Sequence, residues 1–321
     1  MSSVDANPRR TIPPDLHFAE WRARDGWALR SFTRAPGNRA RGSLLFLGGR
    51  ADFVEKHLEA IDCWHRSGWR VDGFDWRGQG GSGRLVPDGN VCHLDSFDPL
   101  LDDLEDFVAE WRAGTQGPHV AIAHSMGAHV LLRMLAERRG RLDGAVLLSP
   151  MFALPRGPLP AGALPLIAGT AVALGLARRP LWRRDPGNVG SRLTACPERH
   201  ADKLWWKANK PQIATGPPSW GWVSGAIRSI QRLDENENLS AVEVPLLIIG
   251  SQGDMVVDVE GFGRIAERLG RADLVMLPGK GHELLREADA TRQVVMDRIE
   301  QFLAGIDRKT APSDPASHRA S

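Results

Sequence analysis

A short run of mostly small residues, Ala123-His124-Ser125-Met126-Gly127, constrains the fold of this chain more than any other segment. The apolar run before it (119–123) is typical of a buried strand, and the run after it (128–138) predicts a helix. A sharp turn from strand to helix crowds the positions two before and two after its central serine, so both must be small. Gly127 meets this requirement, and Ala123 meets it with one extra methyl group. We interpret Ser125 as an exposed nucleophile; the alternative is a serine that only caps the helix.

Short apolar runs alternate with helical patterns on both sides of this turn. Strands are predicted at 43–47, 69–75, 119–123, 144–148, 245–249 and 274–277, and an amphipathic helix at 98–111. This alternation is typical of an α/β protein with a mostly parallel sheet flanked by helices. Since the carboxyl ends of parallel strands share one edge of a sheet, residues in the loops that follow these strands can meet there.

Residues 151–240, which we call the cap segment, interrupt the alternation. A segment this long without strands inside a compact domain is expected to be functional or a subdomain. We therefore predict a helical cap inserted before the strand at 245–249. Its apolar stretch 157–176 has three prolines in its first half, which favours a helix that covers a site over a membrane span. Its tryptophans are candidates for a substrate pocket, although each also fits the cap's own core: Trp205, Trp206, Trp220 and Trp222.

The remaining boundaries follow from the same patterns. Residues 1–17 are expected to form an N-terminal extension, 18–150 and 241–307 the two parts of the core, and 308–321 a disordered tail.

A serine hydroxyl needs a general base, and that base needs a carboxylate to hold it. Asp254 follows the strand at 245–249, and His282 follows the strand at 274–277, so the chain order is Ser, acid, His. Asp258 and Glu283 are alternative acids, but Asp254 lies at the strand's exit. The sequence therefore predicts a triad of Ser125, Asp254 and His282.

The negative oxygen of a tetrahedral intermediate needs backbone N–H donors that are already in place. One donor is expected at Met126, directly after the nucleophile. The other is expected in the turn after the first predicted parallel strand, at the N–H of Arg50, with Gly49 providing room. A plain tight turn is the alternative for this glycine-rich segment.

Composition excludes other classes of protein. The formal net charge is +2, which gives no general attraction to nucleic acid. The three cysteines lack the spacing of a zinc site or a disulfide framework, and no metal or cofactor is implied. The first residues lack the apolar core of a secretory signal, so a cytoplasmic protein is expected.

These motifs together resemble the lysophospholipase and monoacylglycerol lipase branch of the α/β hydrolases. The resemblance rests on LFLGGRADFVEKH, DWRGQGGSGR, AIAHSMGAH, GSQGDMVVD and GKGHELLRE, and it extends from about residue 18 to 303. It implies an α/β-hydrolase fold and hydrolysis of one acyl ester in a lysophospholipid or monoacylglycerol. It also implies the triad named above, with Arg50 and Met126 as oxyanion donors. The glycine at position 48 and Ala123 depart from the usual pattern without removing a reacting group.

The triad alone leaves the substrate open, because ester and amide cleavage use the same groups. An aminopeptidase, an amidase or a small-ester esterase is the main alternative, and an aminopeptidase would need cap carboxylates such as Asp185, Glu198 or Asp202 to hold a free amine. A non-catalytic binding module is less favoured. Epoxide hydrolases and dehalogenases of this fold are excluded, because they need an aspartate where Ser125 stands. A lipid-like substrate would bring peripheral contact with the inner membrane through the cap; the oligomeric state is not predicted.

Overall fold

The computed structural model describes residues 7–38, 40–87, 90–155, 160, 162–183, 192–279 and 281–310, with side chains as far as 307. Within these residues, eight strands form one sheet in the order β1-β2-β4-β3-β5-β6-β7-β8. The strands are β1 (Leu16–Arg22), β2 (Ala28–Arg34), β3 (Ser43–Leu47), β4 (Arg70–Phe74), β5 (His119–His124), β6 (Gly144–Leu148), β7 (Leu246–Ser251) and β8 (Ala272–Leu277).

Helices flank the sheet and fill the cap segment. They are α1 (Leu58–Arg66), α2 (Asp98–Gly114), α3 (Met126–Ala136), α4 (Ala163–Ala173), α5 (Pro197–Asn209), α6 (Trp220–Asp234), α7 (Glu260–Ala266) and α8 (Asp289–Thr310). Helix α8 continues beyond residue 307, where the core was expected to end, and residues 311–321 of the expected tail lie outside the described residues.

The central strands are parallel and buried along almost their whole length. Strand β3 lies between β4 and β5, with Leu45 opposite Ala121 and Leu47 opposite Ala123. Because successive side chains of a strand point to opposite faces, Leu45 joins the core under α2 and α3, whereas Leu44 joins the core under α1 and α8. Both faces of the sheet are therefore covered, and the loops after β3, β5, β7 and β8 lie at one edge.

The sequence patterns did not indicate the antiparallel hairpin of β1 and β2 at the edge of the sheet. In β1 only Leu16 is buried, and in β2 the buried positions alternate with half-buried ones. Strand β1 begins at Leu16, inside the segment expected to be an extension. Before it, a 3-10 turn (Pro8–Arg10) precedes the hairpin.

In the cap segment, the structure describes helices α4, α5 and α6. Helix α4 begins at Ala163 and includes Pro165 in its first turn, where a missing N–H costs little. Several apolar side chains on and just after α4 face solvent, with Leu166 and Leu174 both 71% exposed. No helix in the described ranges is long and apolar enough to cross a membrane.

Candidate active site

Ser125 occupies a strained turn between β5 and α3. Its φ of 52° and ψ of −115° are rare for a residue with a side chain, and its amide donates to Leu148 O at 2.9 Å. Gly127 allows this turn, because a Cβ there would clash with the carbonyl oxygen of Gly48 and lie 3.0 Å from that of Leu47. Backbone strain of this kind, about 1–3 kcal/mol, persists only where the surrounding structure enforces it.

The structure brings Ser125, His282 and Asp254 together in a hydrogen-bonded row. His282 Nε2 is 2.9 Å from Ser125 Oγ, and His282 Nδ1 is 2.7 Å from Asp254 Oδ2. All three residues are at least nine-tenths buried. Burial lowers the pKa of His282 below the ordinary histidine value, although the hydrogen bond with Asp254 opposes that shift. The imidazole is thus neutral near pH 7 and can accept the serine proton.

Neither alternative acid reaches the histidine in this way. The second carboxylate oxygen of Asp254 accepts the N–H groups of Val256 and Val257, at 2.8 and 3.2 Å, which fixes the carboxylate in place. Asp258 Oδ1 instead accepts the N–H of Glu260 at the start of α7. Glu283 belongs to a separate set of ion pairs.

The turn after β3, residues 48–52, lies against the serine; we call it the β3 turn. A Cβ on Gly49 would be 3.0 Å from both Ser125 Cβ and the ring of His124, so only glycine fits without displacing them. The N–H of Gly49 donates to Asp52 Oδ2 at 2.7 Å, and the N–H of Ala51 donates to Gln79 Oε1 at 2.6 Å. The N–H of Arg50, between them, has no acceptor among the described residues.

Met126 begins α3, where backbone N–H groups point out of the helix without internal acceptors. Gln79 lies behind both this helix end and the β3 turn, with Nε2 3.8 Å from Met126 Sδ and only 1% of its surface exposed. Sequence reasoning missed Gln79, and its only signal was its place in the glycine-rich loop after β4.

A buried ionic network, which sequence reasoning also missed, connects the β3 turn with the loop after β8. Lys56 Nζ donates to Asp52 Oδ1 and, at 2.7 Å, to Glu283 Oε1. His124 Nδ1 is 3.2 Å from Asp52 Oδ2, and His124 Nε2 is 3.1 Å from the carbonyl of His282. Burial raises the pKa of the Asp52 carboxyl, but Lys56 and the two histidines outweigh it and hold that pKa well below its ordinary value.

The four candidate pocket tryptophans have different surroundings. Trp222 is buried beside Arg50, whose guanidinium lies 5.6 Å from its ring centroid. Trp206 donates its indole N–H to Arg9 O at 2.8 Å, and Trp205 packs against it, so both belong to the contact between α5 and the N-terminal turn. That is the packing role that the sequence left open. Trp220 packs, half-buried, against the core cluster.

A mostly parallel sheet, a strained serine at a strand-to-helix turn and a His–Asp pair beside it define the α/β-hydrolase class of serine hydrolases. Comparisons agree. A family model described as "Serine aminopeptidase, S33" matches residues 38–289, and the chain belongs to this family of α/β hydrolases. The fold predicted from the sequence is confirmed.

Relatives of known name are similar over most of the chain. Lysophospholipase L2 of Escherichia coli is 30% identical over 286 residues, covering 83% of this chain and 80% of that protein. The probable lysophospholipase L2 of Haemophilus influenzae is 28% identical over 277 residues, covering 84% and 85%. A crystal structure of a soluble variant of monoglyceride lipase from Saccharomyces cerevisiae has a TM-score of 0.73 at 19% identity, covering 94% of this chain and 99% of that one.

Proposed function

We propose that this protein is a serine hydrolase that cleaves the acyl ester of a lysophospholipid or a monoacylglycerol through an acyl-enzyme on Ser125. The observation that carries the proposal is the row Ser125 Oγ–His282 Nε2–Asp254 Oδ2, with contacts of 2.9 and 2.7 Å. The lysophospholipase names of two relatives support the substrate class.

The mechanism follows from this geometry. His282 takes the proton of Ser125 as the hydroxyl attacks the ester carbonyl, and Asp254 stabilises the resulting imidazolium. The backbone N–H groups of Arg50 and Met126 donate to the negative oxygen of the tetrahedral intermediate. His282 then gives its proton to the departing alcohol, and the same groups activate water to release the fatty acid.

The charges near the site favour an ester over an N-terminal amine as the group recognised. An aminopeptidase needs a free carboxylate for the substrate ammonium, but Asp202 accepts from Arg10 Nε at 2.6 Å and from Arg9. Glu198 is exposed, and its carboxylate accepts a hydrogen bond from the Cys196 thiol at 3.3 Å. Asp185 lies outside the described residues. The cations Lys203 and Lys207 of the cap segment repel an ammonium group. Neither described candidate carboxylate, Asp202 or Glu198, therefore supports the aminopeptidase alternative.

A labelling and turnover experiment tests the proposal. Wild-type protein should react with a fluorophosphonate probe and release fatty acid from 1-acyl lysophospholipid or monoacylglycerol, and Ser125→Ala should do neither. Ser149→Ala is a matched control, because Ser149 is also buried after a strand of the same sheet and has a positive φ of 42°. Equal labelling of wild type and Ser125→Ala, or release of aminoacyl amides in preference to lipid esters, would contradict the proposal.

We also propose that the cap segment contacts lipid surfaces through α4 and that the protein acts at the cytoplasmic side of a membrane. The exposed apolar residues Leu166, Ile167 and Leu174 support this, since a lipid ester has to be taken from an aggregate. Leu166→Ser with Leu174→Ser should reduce co-sedimentation with phosphatidylglycerol vesicles, whereas Leu204→Ser, at another exposed leucine, should not. Undiminished co-sedimentation of the α4 variant would refute this contact.

A further inference from the structure

Seven charged side chains interact around the β3 turn and the loop after β8. Five are cationic and two anionic: Arg50, Lys56, Lys203, Lys207, Arg286, Asp52 and Glu283. Glu283 alone accepts from Lys56 at 2.7 Å, from Lys203 at 3.5 Å and from Arg286. Burial lowers the pKa of Lys203 to about 7, but the other four cations still outnumber the two carboxylates, so this cluster keeps an excess of positive charge beside the loop that presents His282.

Lys207 of α5 is the cation of this cluster with no hydrogen-bond or ion-pair partner among the described residues. It lies one helical turn beyond Lys203, so both ammonium groups are on the same face of α5. Burial lowers the pKa of Lys207, and repulsion from Lys56 and Arg50 lowers it further. Lys207 is only partly exposed, and an ammonium group with limited access to water and no anion beside it is costly, which makes an anionic partner from outside the protein the simplest reason for its position.

The position of Lys207 also relates it to the reacting atoms. Its charge interacts with Arg50 and Asp52, both in the β3 turn, and with Glu283, which directly follows the catalytic histidine in the chain. The Arg50 side chain donates to Gly216 O at 3.0 Å and stacks near Trp222, so it extends from the proposed oxyanion donor to the cap segment. The cluster therefore lies beside the two loops that present His282 and the N–H of Arg50.

We propose that Lys207, with Arg50 and Lys203, binds the phosphodiester of a lysophospholipid headgroup and makes the enzyme prefer such substrates over neutral monoacylglycerols. This inference rests on the proposed function and deepens it. In a lysophospholipid the phosphate lies on the leaving-group side of the ester, a few bonds from the attacked carbonyl. A cation that pairs with it there strengthens substrate binding through a charge-assisted contact, and a monoacylglycerol has no group that can make this contact.

A nearby polar cavity does not offer the same site. An open pocket lies between α5, α1 and the N-terminal turn and shares Lys56, Lys203 and Arg286 with the cluster. Its other charges are paired, as in Arg199 with Glu59 at 2.8 Å, and neither Ser125 nor Lys207 lines it.

The experiment compares two substrates with the same acyl chain, lysophosphatidylglycerol and monoacylglycerol, in the same mixed micelles of neutral detergent. We expect Lys207→Gln to lower kcat/KM for lysophosphatidylglycerol about tenfold, through KM, and to leave that for monoacylglycerol unchanged. Lys207→Arg should keep most of the preference. Lys210→Gln is the matched control: it removes the same charge just after α5, where Lys210 Nζ faces Glu55 at 3.4 Å, and should leave the ratio unchanged.

Three results would overturn the inference. In the first, Lys207→Gln lowers kcat/KM equally for both substrates. In the second, Lys210→Gln changes the ratio of the two kcat/KM values as much as Lys207→Gln does, which would indicate attraction to the micelle surface only. In the third, free fatty acid inhibits Lys207→Gln more weakly than wild type while KM for lysophosphatidylglycerol is unchanged. This result would mean that the cluster binds the carboxylate of the product.

A binding measurement separates this inference from the proposed function. If wild-type protein hydrolysed neither lipid, the proposed function would fail. The inference could still be decided by comparing how tightly lysophosphatidylglycerol binds to Ser125→Ala and to the double variant that also carries Lys207→Gln. We expect about tenfold weaker binding to the double variant. Equal binding by the two proteins would refute it.

Discussion

Gln79 is predicted to hold the β3 turn in its active shape, although no hydrogen bond among the described residues joins it to the triad. Its side-chain oxygen accepts the N–H of Ala51 at 2.6 Å, and Ala51 has a φ of 61°. This left-handed conformation is unfavourable for alanine, so the hydrogen bond offsets a local strain. Replacing Gln79 by leucine keeps much of the volume but removes the acceptor.

The size of the effect follows from these two contributions. Loss of Gln79 Oε1 as acceptor leaves the half-buried N–H of Ala51 without this hydrogen bond, which costs about 1 kcal/mol. The left-handed conformation of Ala51 costs roughly another 1–2 kcal/mol, which the hydrogen bond then no longer offsets. A turn that relaxes by one peptide unit moves the N–H of Arg50 away from the developing negative oxygen. Removal of a whole oxyanion donor costs about 2.7–4 kcal/mol in other hydrolases. We therefore expect kcat for Gln79→Leu to fall about 10–100-fold, with KM nearly unchanged.

Steady-state hydrolysis of a p-nitrophenyl ester, together with thermal melting, measures this effect. Gln252→Leu is the control, since Gln252 is an exposed glutamine on the loop after β7. Ala51→Gly should restore part of the activity of Gln79→Leu, because glycine adopts the left-handed conformation without strain. The reasoning is refuted if Gln79→Leu keeps full kcat, or if Ala51→Gly restores nothing.

Four further predictions concern the serine turn, the base, the acid and the N-terminal turn. Gly127→Ala should lower the free energy of unfolding by about 1–3 kcal/mol and should also lower kcat, because the added Cβ clashes with the Gly48 carbonyl. A variant that matches wild type in both urea denaturation and turnover would contradict this. The kcat/KM of the wild type should fall as pH drops, with a midpoint below about 6.5, because burial lowers the pKa of His282 and only its neutral form accepts a proton; a midpoint above 7 in the pH–rate profile would disprove the assignment. Asp254→Asn should reduce kcat by about 10⁴-fold and leave fluorescence-detected melting almost unchanged, and a loss below tenfold would exclude it as the acid. Asp202→Asn should lower the free energy of unfolding by about 1–3 kcal/mol, measured by urea denaturation, since a buried acceptor of two arginines is weakened; an unchanged midpoint would show that this contact is not stabilising.

The strands that carry the site were predictable because they are buried on both faces. Strands at 43–47 and 144–148 have the predicted bounds, and those before Ser125 and Asp254 differ by one or two residues. Continuous apolar runs that end in glycine or a polar turn leave few alternatives to a central parallel strand. The order Ser, acid, His could then be assigned from the position of each residue after its strand.

Other elements gave no comparable signal. Strands β1 and β2 form an edge hairpin whose polar and apolar residues mix, as in Ala19 opposite Ser31, so their periodicity is weak. Helix α3 begins at Met126, two residues before the apolar pattern indicated a helix, because the strained serine leads directly into it. Gln79 and Lys56 act through partners distant in the chain, and a single sequence contains no pattern that pairs them.

The buried charges explain why the parts of the site depend on one another. Ion pairs in a protein interior gain little net stability, because taking both ions out of water costs about as much as their attraction returns. A network that joins Asp52 to Lys56 and Glu283 is therefore better understood as fixing geometry than as adding stability. It connects the turn that presents the N–H of Arg50 with the loop that presents His282, and no backbone hydrogen bond among the described residues joins these two segments directly. Each carboxylate of this network has cations as partners, whereas Lys207 has no anion within ion-pair distance in the part of the chain that the structure describes, and that asymmetry is what a phosphodiester substrate would complete.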